Sequence, residues 1–316
     1  MKKAFLFPGY GSQFVGMAKD LYDDSRIIQE YFEEASSCLD INFVKLCFAS
    51  SDTELAQMHA AYAAIFLVSS SIYSLIKDRG MTADILAGYD TGQYAAFYAA
   101  GVMSFPDGLY LLNKLAQQYQ EFLKTIDVAA AQIDGMPIEE LQALCKKVSK
   151  KKEQASIALY ITETSAVVTG HSGAVETIRQ QVCKKKGVRC ANADLGIGLH
   201  STLMDSVTES FKMYLEKVDF KDPKISCMNA QAQLLLDGQQ VKDEIIASIC
   251  APIDWNRIMD SLESYDMIIQ VGPGEQLGAL AKEKYPDKLV LIIQSMQDLD
   301  ELAQYVPKEE PDTETP

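Results

Sequence analysis

The chain has 316 residues, of which 48% are apolar and 23% charged, and its formal net charge is −15 at pH 7. This length suits one large domain with an insertion or two domains, and the composition is that of a globular protein with a sizeable core. The acidic balance argues against a nucleic-acid partner, because such proteins present a cationic face to the phosphates.

The sequence shows no membrane or export signal. The longest apolar stretch, about 60–75, is interrupted by Tyr62 and by three consecutive serines at 69–71, so we expect no membrane span. The first residues lead directly into a strand-like run without the long apolar region of a signal peptide. Both observations favour a cytoplasmic protein.

The cysteines and histidines give no metal or disulfide pattern. The seven cysteines contain no Cys-x-x-Cys pair, and an odd number does not suit a disulfide framework. We therefore expect free thiols. None of the three histidines lies beside a cysteine pair with ligand spacing, so no metal site is expected.

The first 125 residues alternate strand-like and helical patterns. A strand over 4–7 leads into a glycine-bearing loop at 8–13, and a second strand covers 84–88. Apolar residues at helical spacing, together with N-cap signals, predict helices over 26–47, 57–78, 93–100 and 104–124.

A five-residue motif follows the second strand. It reads Gly88-Tyr89-Asp90-Thr91-Gly92, which has the spacing of a nucleophile elbow, Gly-x-Ser-x-Gly, on a sharp strand-to-helix turn. The central side chain is a carboxylate here instead of a hydroxyl. The spacing predicts an α/β-hydrolase-like domain with a parallel sheet, whereas the chemistry stays open.

The middle of the chain reads β-α-β-β-α-β, the order of a ferredoxin-like domain. Its predicted strands and helices cover 128–133, 137–149, 156–161, 165–170, 173–186 and 188–192. The same region is basic, with ten Lys or Arg against three acids over 146–190. Such a patch is either a set of solvated helix faces or a landing site for an acidic partner.

The remaining pattern returns to the large domain. Helix 201–217, a strand near 225–228, helices to about 263 and strands at 267–271 and 289–293 complete it. We predict a discontinuous large α/β domain over 1–125 and 194–306 with an inserted ferredoxin-like domain over 126–193. The proline-rich acidic residues 307–316 read as a disordered tail.

Six motifs in order resemble the malonyl-CoA:acyl-carrier-protein transacylase family. Phe7-Pro8-Gly9-Tyr10-Gly11-Ser12-Gln13 resembles its opening glycine loop, and 87–96 resembles its Ala-Gly-His-Ser-Leu-Gly-Glu-Tyr-Ala-Ala. The matches continue at 100–107, 200–204, 252–255 and 271–274. The resemblance extends to about residue 306.

The resemblance assigns roles to particular residues. It places Asp90 where the family has its nucleophilic serine and His200 where it has the base. The backbone amides of Tyr10 and Thr91 take the oxyanion positions. Leu115 stands where an arginine pairs with the malonyl carboxylate, so malonyl recognition is not expected. Further positions of the implied pocket are Gly9, Gly11, Tyr62, Tyr89, Ile161, Cys227 and Ser248.

The family also implies ligands and partners. It uses no tightly bound cofactor; a CoA or phosphopantetheine thioester is its ligand, and an acyl carrier protein receives the acyl group. Such carriers are acidic, so the basic small domain is the expected docking region. We assign docking to Lys184, Lys185, Lys186 and Arg189.

Three functions remain open at this stage. The first is a transacylase homologue with a degenerate site that still docks a carrier or its pantetheine arm. The second is a hydrolase in which Asp90 attacks carbon, or acts with His200 on water. The third is acyl transfer from a non-malonyl substrate, with Thr91 or Ser12 as the nearby hydroxyl. Asp90 also suits a helix N-terminus, where an ion pair with His200 would raise the pKa of the histidine.

Overall fold

A computed structural model describes residues 1–194 and 199–306; the predicted tail, 307–316, lies outside them. The helices are α1 Lys19–Asp24, α2 Arg26–Leu39, α3 Phe43–Ala49, α4 Asp52–Leu55, α5 Met58–Asp78, α6 Gly92–Ala99, α7 Phe105–Leu123, α8 Ile138–Val148, α9 Ser172–Val182, α10 Asp205–Leu215, α11 Gly238–Cys250, α12 Trp255–Ser261, α13 Gln276–Lys284 and α14 Met296–Ala303. The strands are β1 Lys3–Phe7, β2 Ile85–Gly88, β3 Val128–Asp134, β4 Ala155–Thr162, β5 Ser165–His171, β6 Arg189–Ala193, β7 Cys227–Met228, β8 Leu234–Leu235, β9 Ile253–Asp254, β10 Met267–Val271 and β11 Leu289–Ile293.

The larger sheet has the order β11-β10-β1-β2-β7-β8. Its first five strands are parallel, and β8 closes the edge in an antiparallel pair with β7. Both faces of β1 are buried, with Phe5 and Phe7 in one core and Ala4 and Leu6 in the other. A parallel sheet covered on both sides requires such a continuous apolar run.

The smaller sheet has the order β6-β3-β5-β4-β9. Its first four strands with α8 and α9 form the predicted β-α-β-β-α-β unit, and the predicted α/β fold with a ferredoxin-like insertion is confirmed. The fifth strand, β9, pairs in parallel with β4 and comes from residues far outside 126–193. The sheet therefore extends beyond the insertion that the sequence predicts.

The two sheets share a core. Apolar residues from the larger sheet meet Leu159 and Val167 of the smaller one around Trp255 and Ile258 of α12. Trp255 is fully buried, and its ring stands edge-on to Tyr89 with 5.1 Å between centroids. The segment that precedes the elbow residue is thus packed between the sheets.

The structure corrects two predicted helix boundaries and adds two strands that the sequence did not predict. The helix predicted over 26–47 is broken, because Asp40 adopts a left-handed φ of 54° and Asn42 caps the new helix α3 through the Lys45 amide. The helix predicted from 201 begins as a 3-10 turn at Thr202–Met204, and α10 follows it. Strands β8 and β9 were not predicted, since two residues carry no periodicity.

The long apolar helix α5 is a core helix. By length and composition alone, Met58–Asp78 could cross a membrane, but 89% of its most apolar window is buried within the protein. Its serines Ser69, Ser70 and Ser71 are all buried. An all-round apolar surface is what a helix in the centre of a large core requires.

The expectation of free thiols is wrong for two of the cysteines. Cys183, which ends α9, is paired with Cys190 of β6 in a disulfide. The turn between helix and strand brings their Cα atoms to 6.1 Å, a separation that a disulfide spans. The cysteines Cys38, Cys47, Cys145, Cys227 and Cys250 are free.

Candidate active site

The elbow holds Asp90 in a left-handed conformation between strand and helix. Its φ is 53°, and its side chain is buried beneath the N-terminus of α6. The flanking glycines are required by close packing: a Cβ at Gly88 would lie 2.2 Å from the Gln93 nitrogen, and one at Gly92 would lie 2.2 Å from the Phe7 carbonyl oxygen. The motif spacing therefore reflects backbone contacts on both sides of the turn.

Asp90 and His200 are in direct contact. The Nε2 of His200 lies 2.9 Å from Oδ1 of Asp90, as the sequence led us to expect. On the other side of the ring, Nδ1 lies 2.5 Å from the Ser248 carbonyl oxygen. The side chain of Ser248 takes no part, so this contact depends on the backbone alone.

Both ring nitrogens of His200 therefore face acceptors. A carbonyl oxygen only accepts, and an ionised carboxylate only accepts, so the ring satisfies both when it carries both protons. Burial by itself lowers the pKa of His200, but the hydrogen bond and charge of Asp90 and the Ser248 carbonyl outweigh it, and the net pKa is raised. These contacts favour an imidazolium paired with the carboxylate of Asp90, which we call the Asp90–His200 ion pair.

The carboxylate of Asp90 also occupies the implied oxyanion position. The Tyr10 amide lies 3.3 Å from Oδ2 of Asp90 and 3.2 Å from Oγ1 of Thr91. The Thr91 hydroxyl donates to the same carboxylate oxygen at 3.2 Å. A substrate carbonyl oxygen could reach the Tyr10 amide only by displacing the side chain of Asp90.

The hydroxyls considered as substitute nucleophiles are engaged elsewhere. The Thr91 hydroxyl is turned to Asp90, and Ser12 donates to the Gly9 carbonyl oxygen at 2.7 Å. The contacts of the His200 ring nitrogens are to Asp90 and Ser248. The geometry thus places neither hydroxyl on the His200 imidazole, and the carboxylate that accepts from Thr91 is itself hydrogen-bonded to His200.

The cavity beside the ion pair is small. Its volume is about 20 Å³, which is enough for one water molecule and not for an acyl group. It is lined by Tyr62, Asp90, Thr91, Gln93, Tyr94, Leu115, Tyr119, Leu199, His200, Ser248 and Ile249.

Tyrosines and a leucine fill the space around the ion pair. The ring of Tyr62 stands edge-on to Tyr10 with 5.8 Å between centroids, and Leu115 is buried. Burial, and secondly the negative charge of Asp90, raises the pKa of Tyr62 and of Tyr94. These phenols stay neutral at physiological pH and therefore add no charge beside Asp90 and His200.

The other pocket residues predicted from the sequence are distributed more widely. Gly9 packs on the elbow, where an added Cβ would lie 2.2 Å from the Tyr89 carbonyl oxygen, whereas Gly11 is exposed. The remaining three do not line the small cavity within the described part of the chain. Tyr89 and Ile161 belong to the core between the sheets, and Cys227 lies in the main core, where burial raises the pKa of its thiol to about 12.

Strand alternation explains the position of Tyr89. It continues the series Ile85 and Ala87, whose side chains face the core between the sheets. Conversely, Tyr119 lines the cavity and was not predicted, although it follows Leu115 by one helical turn on α7. An i, i+4 reading from Leu115 would have found it.

A wider groove reaches His200 from outside. Its volume is about 510 Å³, and it runs between α8 and β4 on one side and the residues 200–202 and 250–252 on the other. A second groove of about 380 Å³ shares Ser149, Ser156, Ser201 and Thr202 with it. Three lysines border the two grooves: Lys146, Lys150 and Lys151.

The lysines chosen from the sequence lie on another part of the small domain. Lys184, Lys185 and Lys186 are exposed in the turn after α9, Arg189 is exposed at the start of β6, and none of them lines either groove. Lys185 contacts Glu140 at 2.8 Å. Over residues 1–194 and 199–306, no group of three or more His, Cys, Asp or Glu side chains is arranged to hold a metal ion.

A parallel α/β sheet with an elbow, a histidine facing the elbow residue and an inserted ferredoxin-like sheet define an acyltransferase scaffold. The acyl transferase domain model matches residues 4–292. The malonyl CoA-acyl carrier protein transacylase of Bacillus subtilis (strain 168) is 31% identical over 315 residues, covering 98% of this chain and 99% of its own.

Comparison with solved structures gives the same fold. FabD from Acinetobacter baumannii matches with a TM-score of 0.90 at 27% identity, covering 96% of this chain and 98% of its own. A complex of a type II PKS acyl-carrier protein with its malonyl-transacylase, PlMCAT:AntF, gives a TM-score of 0.91 at 22% identity over 96% of this chain and 100% of its own, which shows the fold. The chain belongs to the acyl transferase family, among the malonyl-CoA:acyl-carrier-protein transacylases.

Proposed function

We propose that this protein serves fatty-acid or polyketide biosynthesis as a transacylase-fold pseudoenzyme in the cytoplasm. In this function it binds an acyl carrier protein, or the phosphopantetheine arm of one, without transferring malonyl groups. The Asp90–His200 ion pair carries the proposal. A histidine that holds protons on both nitrogens cannot accept one from a nucleophile, and Asp90 covers the amide that an oxyanion needs.

Two further observations support the loss of malonyl transfer. Leu115 supplies no cation for a malonyl carboxylate, and the cavity of about 20 Å³ has no room for the group. Burying an unpaired carboxylate there would cost several kcal/mol. The relatives from Bacillus subtilis and Acinetobacter baumannii are a transacylase and FabD by name, and the family resemblance places a serine and an arginine where this chain has Asp90 and Leu115.

The groove that ends at His200 suits the pantetheine arm. It is open to solvent, is bordered by Lys146 and has hydroxyls at Ser156, Ser201 and Thr202 on its walls. An arm of amide and hydroxyl groups fits such a wall, and a phosphate fits beside a lysine. We place the acidic carrier itself on the basic small domain, with Lys184, Lys185, Lys186 and Arg189 as its contacts.

The proposal is tested by intact-mass analysis with acyl-CoA. The protein and its Asp90→Asn variant are incubated with malonyl-CoA, acetyl-CoA and longer acyl-CoA, with the Bacillus subtilis relative as the positive control. We expect an acyl adduct on the relative and none on this protein. A persistent adduct on the wild-type protein would contradict the loss of transferase activity.

A binding experiment tests the second part of the proposed function, the binding of an acyl carrier protein. Titration with a holo acyl carrier protein is expected to give a measurable Kd that rises with salt. Reversal of Lys184, Lys185 and Lys186 to Glu should abolish binding if the carrier sits on that turn, whereas reversal of Lys150 and Lys151 should do so if it sits on the groove. Lys45→Glu on α3 is the matched control on the large domain.

One observation favours a second function, hydrolysis of acyl thioesters. The small cavity borders both Asp90 and His200 and is large enough for one water molecule. Hydrolysis without an adduct, lost in Asp90→Asn and in His200→Ala, would support it. Absence of turnover with all acyl-CoA substrates would exclude it and leave the binding function.

A further inference from the structure

The disulfide closes a short basic loop. Cys183 and Cys190 are seven positions apart, and the six residues between them include Lys184, Lys185, Lys186 and Arg189. All four side chains are exposed. This loop 183–190 therefore presents four positive charges on a protein whose net charge is −15, within a ring closed by one covalent bond.

The pair is accessible to reagents. Cys183 is exposed and Cys190 is half-buried, whereas Cys47, Cys145 and Cys227 are buried. Exchange requires a thiolate to approach one sulfur in line with the bond, so an exposed disulfide is a labile one. A cross-link over so few residues also gains less from chain entropy than one over a long loop.

Backbone contacts hold both ends of the loop: the Lys185 amide donates to the Val182 carbonyl oxygen at 2.9 Å, and Arg189 and Cys190 pair with β3. Lys185 pairs with Glu140 of α8 at 2.8 Å, and both side chains are about half exposed, so this pair contributes little. Gly187 adopts a φ of +85°, and its carbonyl oxygen packs so closely on Gly135 that an added Cβ there would lie 2.3 Å away. The covalent link therefore adds a constraint on the middle of the loop, where Lys184, Lys185 and Lys186 are exposed between these two ends.

We propose that Cys183 and Cys190 form a reversible thiol–disulfide site, and that the closed loop is the tighter-binding state toward an acidic carrier protein. The second clause rests on the proposed function, because it regulates the docking surface named there. An acidic partner binds a preorganised set of cations more tightly than a mobile one, since less freedom is lost on association.

The redox step balances with a dithiol reductant of the small-molecule or thioredoxin class. One reductant thiolate attacks Cys183 or Cys190, the bond between the two sulfurs breaks, and a mixed disulfide forms. The second reductant thiol displaces the bound cysteine. The reductant leaves as a disulfide, having supplied two electrons, and each cysteine takes up one proton.

The first experiment counts thiols in the full-length protein. Air-oxidised and dithiothreitol-treated samples are denatured, alkylated and analysed by mass spectrometry. We expect five labelled cysteines before reduction and seven after it. Peptide mapping should show that the change is confined to Cys183 and Cys190. Seven labelled cysteines in the oxidised sample would overturn the site.

The second experiment measures coupling to binding. The probe is an apo acyl carrier protein, whose missing pantetheine removes any competing thiol. We expect the Kd to rise roughly threefold to tenfold on reduction, as when a short binding loop loses preorganisation. Cys183→Ser with Cys190→Ser should match the reduced protein under both conditions, and Cys38→Ser on α2 should match the wild type.

The outcomes separate the two proposals. Equal Kd values in the two redox states overturn the coupling, whether or not the disulfide forms. Binding in neither state overturns the coupling too, and it also removes the docking half of the proposed function. Thermal unfolding of the double variant, monitored by circular dichroism, shows that a changed Kd reflects the loop and not a misfolded small domain.

Discussion

At the scale of single residues, one substitution changes the electrostatics of the whole site. With a serine at position 90, His200 would keep one proton on Nδ1 for the Ser248 carbonyl oxygen. Its Nε2 would be free to accept a proton from the serine hydroxyl. The carboxylate instead favours a second proton on the ring and turns its other oxygen to the Tyr10 amide. The pair is satisfied within the protein, so no substrate is needed to complete its hydrogen bonds.

The ion pair predicts a pH dependence of stability. The folded-state pKa of His200 lies above its ordinary value of 6.5. Its contribution is therefore fully present below about pH 6.5 and is lost as the pH rises through the raised pKa. We expect the free energy of unfolding of the wild type, relative to His200→Gln, to fall as the pH rises above about 6.5.

The same ion pair predicts how much stability is lost when the negative charge of Asp90 is removed. Asp90→Asn leaves a buried imidazolium without its counter-ion, which costs about 3 kcal/mol near pH 6. The cost should shrink at alkaline pH, where the ring is neutral. Urea unfolding across pH, with an NMR titration of the His200 ring, measures both. A cost that is independent of pH would contradict the ion pair.

At the scale of elements, the first glycine loop and the elbow act as one unit. Gly9 contacts the backbone of Tyr89 so closely that a side chain there must displace one of them. The Tyr10 amide follows immediately and reaches Asp90. The position of the loop therefore decides whether this amide meets the carboxylate.

Gly9→Ala tests this packing. We expect it to destabilise the protein by about 1–3 kcal/mol, because its Cβ would lie 2.2 Å from the Tyr89 carbonyl oxygen, which the Gly92 amide holds in place. Chemical denaturation measures the change. Gly173→Ala, in the first turn of α9 beside the flexible end of Glu153, is the control and should be neutral or stabilising.

Most elements could be predicted from the sequence, because long strands and helices carry clear periodicity. The ferredoxin-like order was visible in this way, and so was the contact between Asp90 and His200 through the flanking motifs. Strand β9 could not be predicted, since its partner β4 is about a hundred positions away. The second proton on His200 depends on an acceptor from α11, which no local pattern encodes.

The size of the cavity also could not be predicted from the sequence. Tyr62, Leu115 and Tyr119 come from two helices whose side chains meet only after α5 and α7 pack. A list of substituted pocket positions shows that the chemistry has changed. It does not show that the substitutions fill the space, because volume depends on how the elements pack.

At the scale of the whole molecule, the two sheets are joined by the apolar core that lies between them. Residues of both sheets pack around Trp255, the one tryptophan of the chain. A shared core makes partial unfolding costly, because separation of the sheets would expose apolar surface on both. The molecule should therefore unfold cooperatively in spite of its discontinuous organisation.

Tryptophan fluorescence tests this cooperativity. We expect its transition in urea to coincide with that of far-UV circular dichroism. Trp255→Ala should cost about 3–5 kcal/mol, the range for a large buried ring. Two separated transitions in the wild type would show that the sheets unfold independently.

The short segment from Ser248 to Trp255 has a mechanical consequence. At one end its carbonyl steadies the His200 ring, in the middle β9 is hydrogen-bonded to the inserted sheet, and at the other end an indole anchors it in the shared core. The segment therefore connects the His200 ring to both sheets. We expect a ligand in the outer groove that displaces this segment to displace the Ser248 carbonyl as well, and with it the His200 ring that contacts Asp90.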